Sequence, residues 1–258
     1  MSQEIKDHKT GYYSSTESFG AVDGPGIRLV IFLQGCFFKC KYCHNPETIE
    51  FKHEKTISVD EILAMYKKNE NFYKKGGITL SGGEATAQID FCIEVFKAAQ
   101  AKGINTCLDT CLGTYQEIPA VQEKWKELLK YTDLILADLK HIDNEKHINL
   151  TSRPNTNVLQ GIKFLDDNNA KMWVRHVLVP GYTDDEQDLL KMGKFVGTLK
   201  NMERFEMLPY HNMMIPKYEN LKMRFYLKDV EPPTKDYVVK CREIVERGMQ
   251  IKKSNLNI

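Results

Sequence analysis

Six short runs of apolar and β-branched residues recur along the chain, at 27–33, 77–81, 104–109, 134–138, 172–178 and 204–208, each closed by small or turn-forming residues. Runs of this length bounded by turn signals predict buried strands. Between them, at 59–73, 88–102, 119–131, 157–168 and 184–198, apolar residues return every three or four positions and predict amphipathic helices. The last of these opens with Thr183-Asp-Asp-Glu, a helix start signal. So regular an alternation predicts an α/β fold of parallel units rather than segregated strands and helices. Six units fall short of the eight in a closed barrel, so the expected architecture is a partial, open-sided (β/α)6 barrel of TIM-like type. No repeat, low-complexity tract or Gly/Ser-rich linker interrupts the pattern. One domain over 1–258 is expected, with the core barrel at about 20–212 and a C-terminal extension at about 213–258.

Small and polar residues collect just after the strand ends: Gln34-Gly35, Ser81-Gly-Gly-Glu84, Asp109-Thr110, Asp138-Leu-Lys140, Pro180-Gly181 and Pro209-Tyr-His211. Sites in parallel β/α folds gather at those carboxyl edges. Charge narrows the partners: 36 Lys and Arg against 35 Asp and Glu leave a net +1 over 258 residues, which disfavours a dedicated nucleic-acid binder. A hydrophobic fraction of 42% disfavours disorder. Residues 1–10 carry no apolar h-region and no run approaches a membrane span. A cytoplasmic protein without membrane contact is therefore expected.

Three of the seven cysteines crowd into Gly35-Cys36-Phe-Phe-Lys-Cys40-Lys-Tyr-Cys43-His44-Asn45, while Cys92, Cys107, Cys111 and Cys241 are scattered. An odd, clustered set is no disulfide framework and points to metal or redox chemistry. Thiolates select iron–sulfur clusters or zinc. A closed zinc site needs a fourth ligand, and His44, adjacent to Cys43, is awkwardly placed to give it. Three thiols can instead hold three corners of a four-iron cluster and leave one iron open to substrate or cofactor. A non-catalytic zinc-binding or redox module is the other class that the thiols leave open.

C-x3-C-x2-C followed by His-Asn, after a first strand, resembles the signature of the radical S-adenosylmethionine (SAM) enzymes, whose fold is a partial six-unit β/α barrel. Asp23-Gly-Pro-Gly-Ile-Arg28, Gln34-Gly-Cys, Tyr42-Cys-His-Asn45, Ser81-Gly-Gly-Glu-Ala85, Thr106-Cys-Leu-Asp-Thr110, Asp138-Leu-Lys140, Trp173-Val-Arg175, Val179-Pro-Gly181, Leu208-Pro-Tyr-His211 and Pro232-Pro233 resemble, in order, the pyruvate formate-lyase activating enzymes. The resemblance runs from about residue 11 into the C-terminal region. It implies an iron-sulfur oxidoreductase of anaerobic glucose metabolism, with a reduced [4Fe-4S] cluster and SAM as cofactors. SAM would chelate the open iron through its amino and carboxylate groups, and one electron would split it into methionine and a 5′-deoxyadenosyl radical. That radical would take the α-hydrogen of a glycine in pyruvate formate-lyase. The resemblance also implies reduced flavodoxin or ferredoxin as electron donor and a monomeric enzyme. Activation of another glycyl-radical enzyme is the neighbouring alternative. The ferredoxin-like insert of many dehydratase and decarboxylase activators, with its eight further cysteines, is absent, since only four cysteines remain.

The same resemblance implies roles for individual residues. Cys36, Cys40 and Cys43 would hold the cluster and start the catalysis. Gly83 would meet the SAM amino group; Tyr42, Cys43 and His44 would flank the cofactor, and His211 would pack on its adenine. Asp138 and Lys140 lie two apart on a predicted strand and so share a face; with Leu139 between them, they would bind the ribose and carboxylate region. Arg175 would reach the SAM carboxylate or the partner peptide, a match for the guanidinium fork. Asp109, Thr110 and Asp138, with a backbone carbonyl near Leu136, would hold a monovalent cation, hard oxygens suiting such an ion. Asp23 and His44 would face the partner's glycine-bearing segment. The chain departs from the family in reading Cys111-Leu-Gly-Thr114 where Asn-Gly is usual after Asp-Thr. Cys111 is expected to be a passive thiol, and Glu84 to have no proton to move. His141, His147 and His176 are expected to be solvated or structural without paired acids, and Met213, Met214 and Met223 to pack in the core.

Overall fold

The computed structural model describes residues 8–255; the N-terminal reading above rests largely on residues 1–7, which lie outside them. Among the described residues eight strands form: β1 (Thr10–Gly20), β2 (Arg28–Leu33), β3 (Thr56–Ser58), β4 (Gly77–Gly82), β5 (Thr106–Thr110), β6 (Leu134–Asp138), β7 (Met172–Leu178) and β8 (Met202–Pro209). They hydrogen-bond in the order β3-β1-β2-β4-β5-β6-β7-β8, an open series. Helices alternate with them: α1 (Val59–Lys68), α2 (Ile89–Gln100), α3 (Pro119–Leu129), α4 (Asn144–Thr151), α5 (Thr156–Asp167), α6 (Glu186–Val196), α7 (Ile215–Asn220) and α8 (Lys235–Asn255). The six predicted runs are β2 and β4 to β8. β1 and β3 are additions, as are α4, α7 and α8.

Contacts divide the chain into two compact units, one of residues up to Phe37 with Glu47–Leu136, the other of Phe38–Pro46 with residues from Ala137 onward. In the first unit, β2 and β4 run parallel with Arg28 opposite Gly77 and Leu33 opposite Gly82, and β4 pairs with β5 in the same sense. Arg28-Leu-Val-Ile-Phe-Leu33 is almost wholly buried, as parallel strands covered on both faces require. β1 is antiparallel to both β2 and β3. Helix α1 opens with a capping box, in which Ser58 Oγ accepts from the Glu61 amide at 3.2 Å and Glu61 Oε2 accepts from the Ser58 amide at 2.7 Å. It ends at Lys68, short of the 73 expected.

In the second unit, β7 and β8 are parallel. Its apolar centre gathers Tyr42, Leu150, Val177, Val179, Tyr210, Met214, Tyr218 and Leu227. Met214 thus packs as expected, whereas Met213 is 75% exposed and Met223 37%. Helices α6 and α8 touch through glycine: a Cβ on Gly193 would lie 2.1 Å from the Val245 carbonyl oxygen, and one on Gly248 2.5 Å from that of Leu190.

Candidate active site

In the first unit, β2 delivers Gln34, Gly35 and Cys36 onto the 47–50 segment. Gln34 Nε2 donates to the Glu47 and Glu50 carbonyls at 3.0 and 2.6 Å, and the amides of Gly35 and Cys36 donate to Thr48 and Ile49 at 2.8 and 3.0 Å. The Cys36 backbone is therefore fixed while its side chain remains partly exposed. After β4 the chain turns at Gly82, φ 113°, and a Cβ on Gly83 would stand 2.3 Å from the Gly35 carbonyl oxygen. Close backbone passage already demands glycine at 83.

Glu84 is fully buried and saturated with donors. Its Oε1 accepts from the Thr86 amide (3.1 Å) and from the hydroxyls of Thr86 and Thr110 (2.7 Å each). Its Oε2 accepts from the Cys111 amide and thiol, both at 2.9 Å. The carboxylate thus ties the β4 turn to the end of β5, and Cys111, buried and donating to it, has a structural part in that tie. Leu112 occupies the second position of the departure from Asn-Gly, buried and at φ 56°. Ser81 Oγ donates to Asp109 Oδ2 at 2.8 Å. Thr110 Oγ1 also accepts from the Leu112 amide at 2.9 Å, so one lone pair is left for a cation. Leu136 is buried in β6.

In the second unit, the segment carrying Cys40 and Cys43 lies on the end of α4, with the amides of Lys39 and Lys41 donating to the carbonyls of Thr151 and Leu150 at 2.8 and 2.9 Å. Tyr218 Oη donates to the Cys43 carbonyl at 3.1 Å, and Lys217 Nζ to the His44 carbonyl at 3.1 Å. His44 and His211 stack with ring centroids 4.3 Å apart and planes 12° off parallel. Burial, with His211 and Lys140 adding to it, drops the His44 pKa to about 4; burial also lowers that of His211. Tyr42 is 2% exposed, and burial raises its phenol pKa.

Asp138 closes β6 with two cations on it. Arg175 Nε and Nη2 both donate to Oδ1 at 2.9 Å, and Lys140 Nζ donates to Oδ2 at 2.6 Å. The same-face reading of Asp138 and Lys140 holds, with Arg175 as a third member. The strand end is locked from β7: the Leu139 amide donates to the Arg175 carbonyl at 2.9 Å, and His176 Nδ1 donates to the Leu139 carbonyl at 2.8 Å. With both its oxygens engaged by cations, Asp138 is better placed to aim Lys140 and Arg175 than to hold a metal cation.

The residues of this unit suit a nucleoside-bearing cofactor. Among the described residues, Tyr42 Oη, His44 Nε2 and His211 Nδ1 are buried without a hydrogen-bond partner. Each such atom costs about 1–3 kcal/mol unless something meets it. The stacked imidazoles of His44 and His211, which carry two of these atoms, match a flat, polar ring. Cys36, Cys40 and Cys43 are partly exposed, whereas the other four thiols are buried, so donor chemistry and access coincide on the same three residues.

His141, His147 and His176 are buried and structural, with one correction. His141 does face an acid, its Nε2 standing 4.0 Å from Asp188. His147 and His176 are buried, and burial lowers both pKa values to about 4. The folded protein keeps them neutral where the unfolded chain, with ordinary values near 6.5, takes up protons. Stability is therefore expected to fall between pH 6.5 and 4, by at most about 1.4 kcal/mol per pH unit for each group. Urea midpoints across that range check this, and a flat profile contradicts it.

The fold and this set of thiols define the class. Residues 30–193 match the Radical SAM superfamily. The chain is 45% identical over 231 residues to the pyruvate formate-lyase-activating enzyme of Staphylococcus epidermidis, covering 88% of this chain and 92% of that protein. It is also 45% identical over 239 residues to the Streptococcus mutans enzyme of the same name, covering 92% and 91%. The chain belongs to the pyruvate formate-lyase-activating enzyme family. Among solved structures, a domain of a Bacteroides vulgatus pyruvate-formate lyase-activating enzyme superposes with TM-score 0.55 at 24% identity, covering 67% of this chain and 94% of that one. Streptococcus suis SuiB bound to its precursor peptide superposes with TM-score 0.62 at 17% identity, covering 88% and 46%. These two show the fold, the partial β/α barrel expected above. Among the described residues no helix is long and apolar enough to cross a membrane.

Proposed function

We propose that this chain activates a pyruvate formate-lyase by generating a radical on one of its glycines, with a [4Fe-4S] cluster and SAM as cofactors. The observation that carries the reading is the 45% identity to relatives of that name over nearly their whole length. When bound, the cofactors supply one-electron cleavage of the sulfonium and abstraction of a hydrogen atom from the glycine α-carbon. The protein's part is to hold and orient. Cys36, Cys40 and Cys43 hold the cluster. Tyr42, His44 and His211 receive the nucleoside end of SAM, and Lys140 and Arg175, aimed by Asp138 and supported by Leu139, meet its carboxylate and ribose. Gly83 faces the amino group. Asp109, Thr110 and the Leu136 carbonyl take a monovalent cation, with Asp138 nearby in sequence. Asp23 and His44 face the partner's glycine segment.

Reduced flavodoxin or ferredoxin is the proposed donor. Lys39, Lys41 and Lys217 give the Cys40–His44 segment the positive charge that suits an acidic redox protein. We place the enzyme in the cytoplasm as a monomer. The test is to mix the reduced, reconstituted protein with SAM and a formate-lyase under anaerobic conditions. A carbon-centred doublet in the electron paramagnetic resonance spectrum of the lyase is expected. Its absence, in a sample whose cluster signal does respond to SAM, points to a different glycyl-radical partner. No cluster at all returns the chain to the zinc or redox class.

A further inference from the structure

We propose that Arg28 and Thr79 are positioning residues that set the Asp23–Gly26 loop for the partner's glycine-bearing segment. The inference rests on the reading of Asp23 just given and extends it to two residues beneath the loop.

Arg28 and Thr79 are both 0% exposed, on adjacent strands β2 and β4. Arg28 Nε donates to Thr79 Oγ1 at 2.7 Å, and that hydroxyl donates in turn to the Asp23 carbonyl at 2.7 Å. Arg28 Nη1 donates to the Pro25 carbonyl at 3.2 Å. Two of the loop's four carbonyls are thus captured by side chains that belong to the sheet. The other nitrogen, Nη2, donates to the Ile78 and Asn105 carbonyls at 3.0 and 3.4 Å, so the clamp is referenced to the base of β4 and to the approach to β5. A chain of this kind, guanidinium to hydroxyl to carbonyl, is polarised along its length and stiffer than separate bonds.

The acceptors are all neutral oxygens. Taking a guanidinium out of water for neutral oxygen acceptors is a poor way to stabilise a fold, because no carboxylate is hydrogen-bonded to it and the Asp133 and Asp23 charges nearby offset its burial only in part. The β2–β4 ladder already pairs Arg28 with Gly77 through the backbone and does not require this side chain. What the side chain adds is loop geometry. Gly26, at φ 73°, completes the seat, since a Cβ there would stand 2.2 Å from the Lys75 carbonyl oxygen. The Asp23 and Pro25 carbonyls are thereby held against the sheet, which reduces the ordering cost of binding for this part of the loop.

The test compares Thr79→Val, which keeps shape and removes the hydroxyl relay, with Thr79→Ser, which keeps the hydroxyl. Each reconstituted variant is assayed twice: for SAM cleavage by dithionite without partner, and for glycyl-radical formation on the formate-lyase over a range of lyase concentrations. Thr79→Val is expected to raise the KM for the lyase about tenfold relative to any change in SAM cleavage, the effect of one lost buried hydrogen bond, and Thr79→Ser to restore it. Parallel loss of both activities in Thr79→Val, or a lyase KM equal to wild type, overturns the inference while leaving the function standing. A wild-type protein that cleaves SAM yet radicalises no lyase overturns both.

Discussion

Alanine in place of any one of Cys36, Cys40 and Cys43 is expected to abolish SAM cleavage altogether, leaving a folded protein without an intact cluster. The three thiols are partly exposed, so their removal takes little from the core. None of the other four can stand in. Cys92 is buried, with its thiol pKa pushed up by burial and then by Glu84, and its Sγ donates to the Ala85 carbonyl at 3.2 Å. Cys111 is held by Glu84, Cys107 is buried, and burial raises the thiol pKa of Cys241. Metal ligation needs the thiolate, which burial opposes at Cys92 and Cys241. Because enzymes typically act at least about a million-fold above background, the loss should reach the detection limit. Iron and sulfide content, visible absorption and SAM turnover measured on the same anaerobic preparation decide it. A variant with a full iron complement and turnover near wild type would show that the cluster is held elsewhere.

The second large effect belongs to Asp138. Its side chain and those of Lys140 and Arg175 are 16%, 13% and 9% exposed, and the carboxylate stands between the two cations. Replacing it with alanine leaves two poorly solvated positive charges facing each other, a loss of about 3–5 kcal/mol by comparison with broken buried pairs. In a chain of this size that corresponds to a fall in Tm of roughly 10 °C. Burial alone would raise the Asp138 pKa, but Arg175 and Lys140 outweigh it and hold the value below the ordinary one. A depressed carboxylate stabilises the fold above its unfolded value near 3.9 and loses that contribution only as pH falls through its lower, folded value. The effect of Asp138→Ala should therefore be the same at pH 6 and pH 8 and shrink only in strong acid. Adding Lys140→Met and Arg175→Met is expected to recover part of the stability without recovering SAM affinity. A single variant as stable as wild type would remove the charge cluster from the site's framework.

How far these features could be read from sequence varied with how local their causes are. The dense apolar runs at 134–138 and 172–178 coincide with β6 and β7 to the residue. β1 escaped because Ser14, Ser15, Thr16 and Glu17 offer no apolar alternation; it stands by backbone pairing on both sides, a cause lying outside the strand itself. α4 escaped because only His147, Leu150 and Thr151 of its eight residues are buried. In the candidate site, the Asp138–Lys140 pair is a short-range pattern and was legible. The union of Asp138 with Arg175 spans 37 positions, and that of Arg28 with Thr79 spans 51. Glu84 looked idle because Thr110 and Cys111, which occupy its carboxylate, come from the end of the next strand in the sheet.

Leu112 carries a consequence for the rigidity of the loop that follows β5. A non-glycine residue at φ 56° gives up about 1 kcal/mol or more relative to its relaxed backbone, yet its isobutyl group is fully buried and would have to be withdrawn for the dihedral to relax. Glycine here would swing between wells at no steric cost, whereas leucine has one pose that satisfies its side chain. The segment is thus wedged rather than hinged, and the geometry it lends to Asp109 and Thr110 is kept by a side chain that cannot afford to leave.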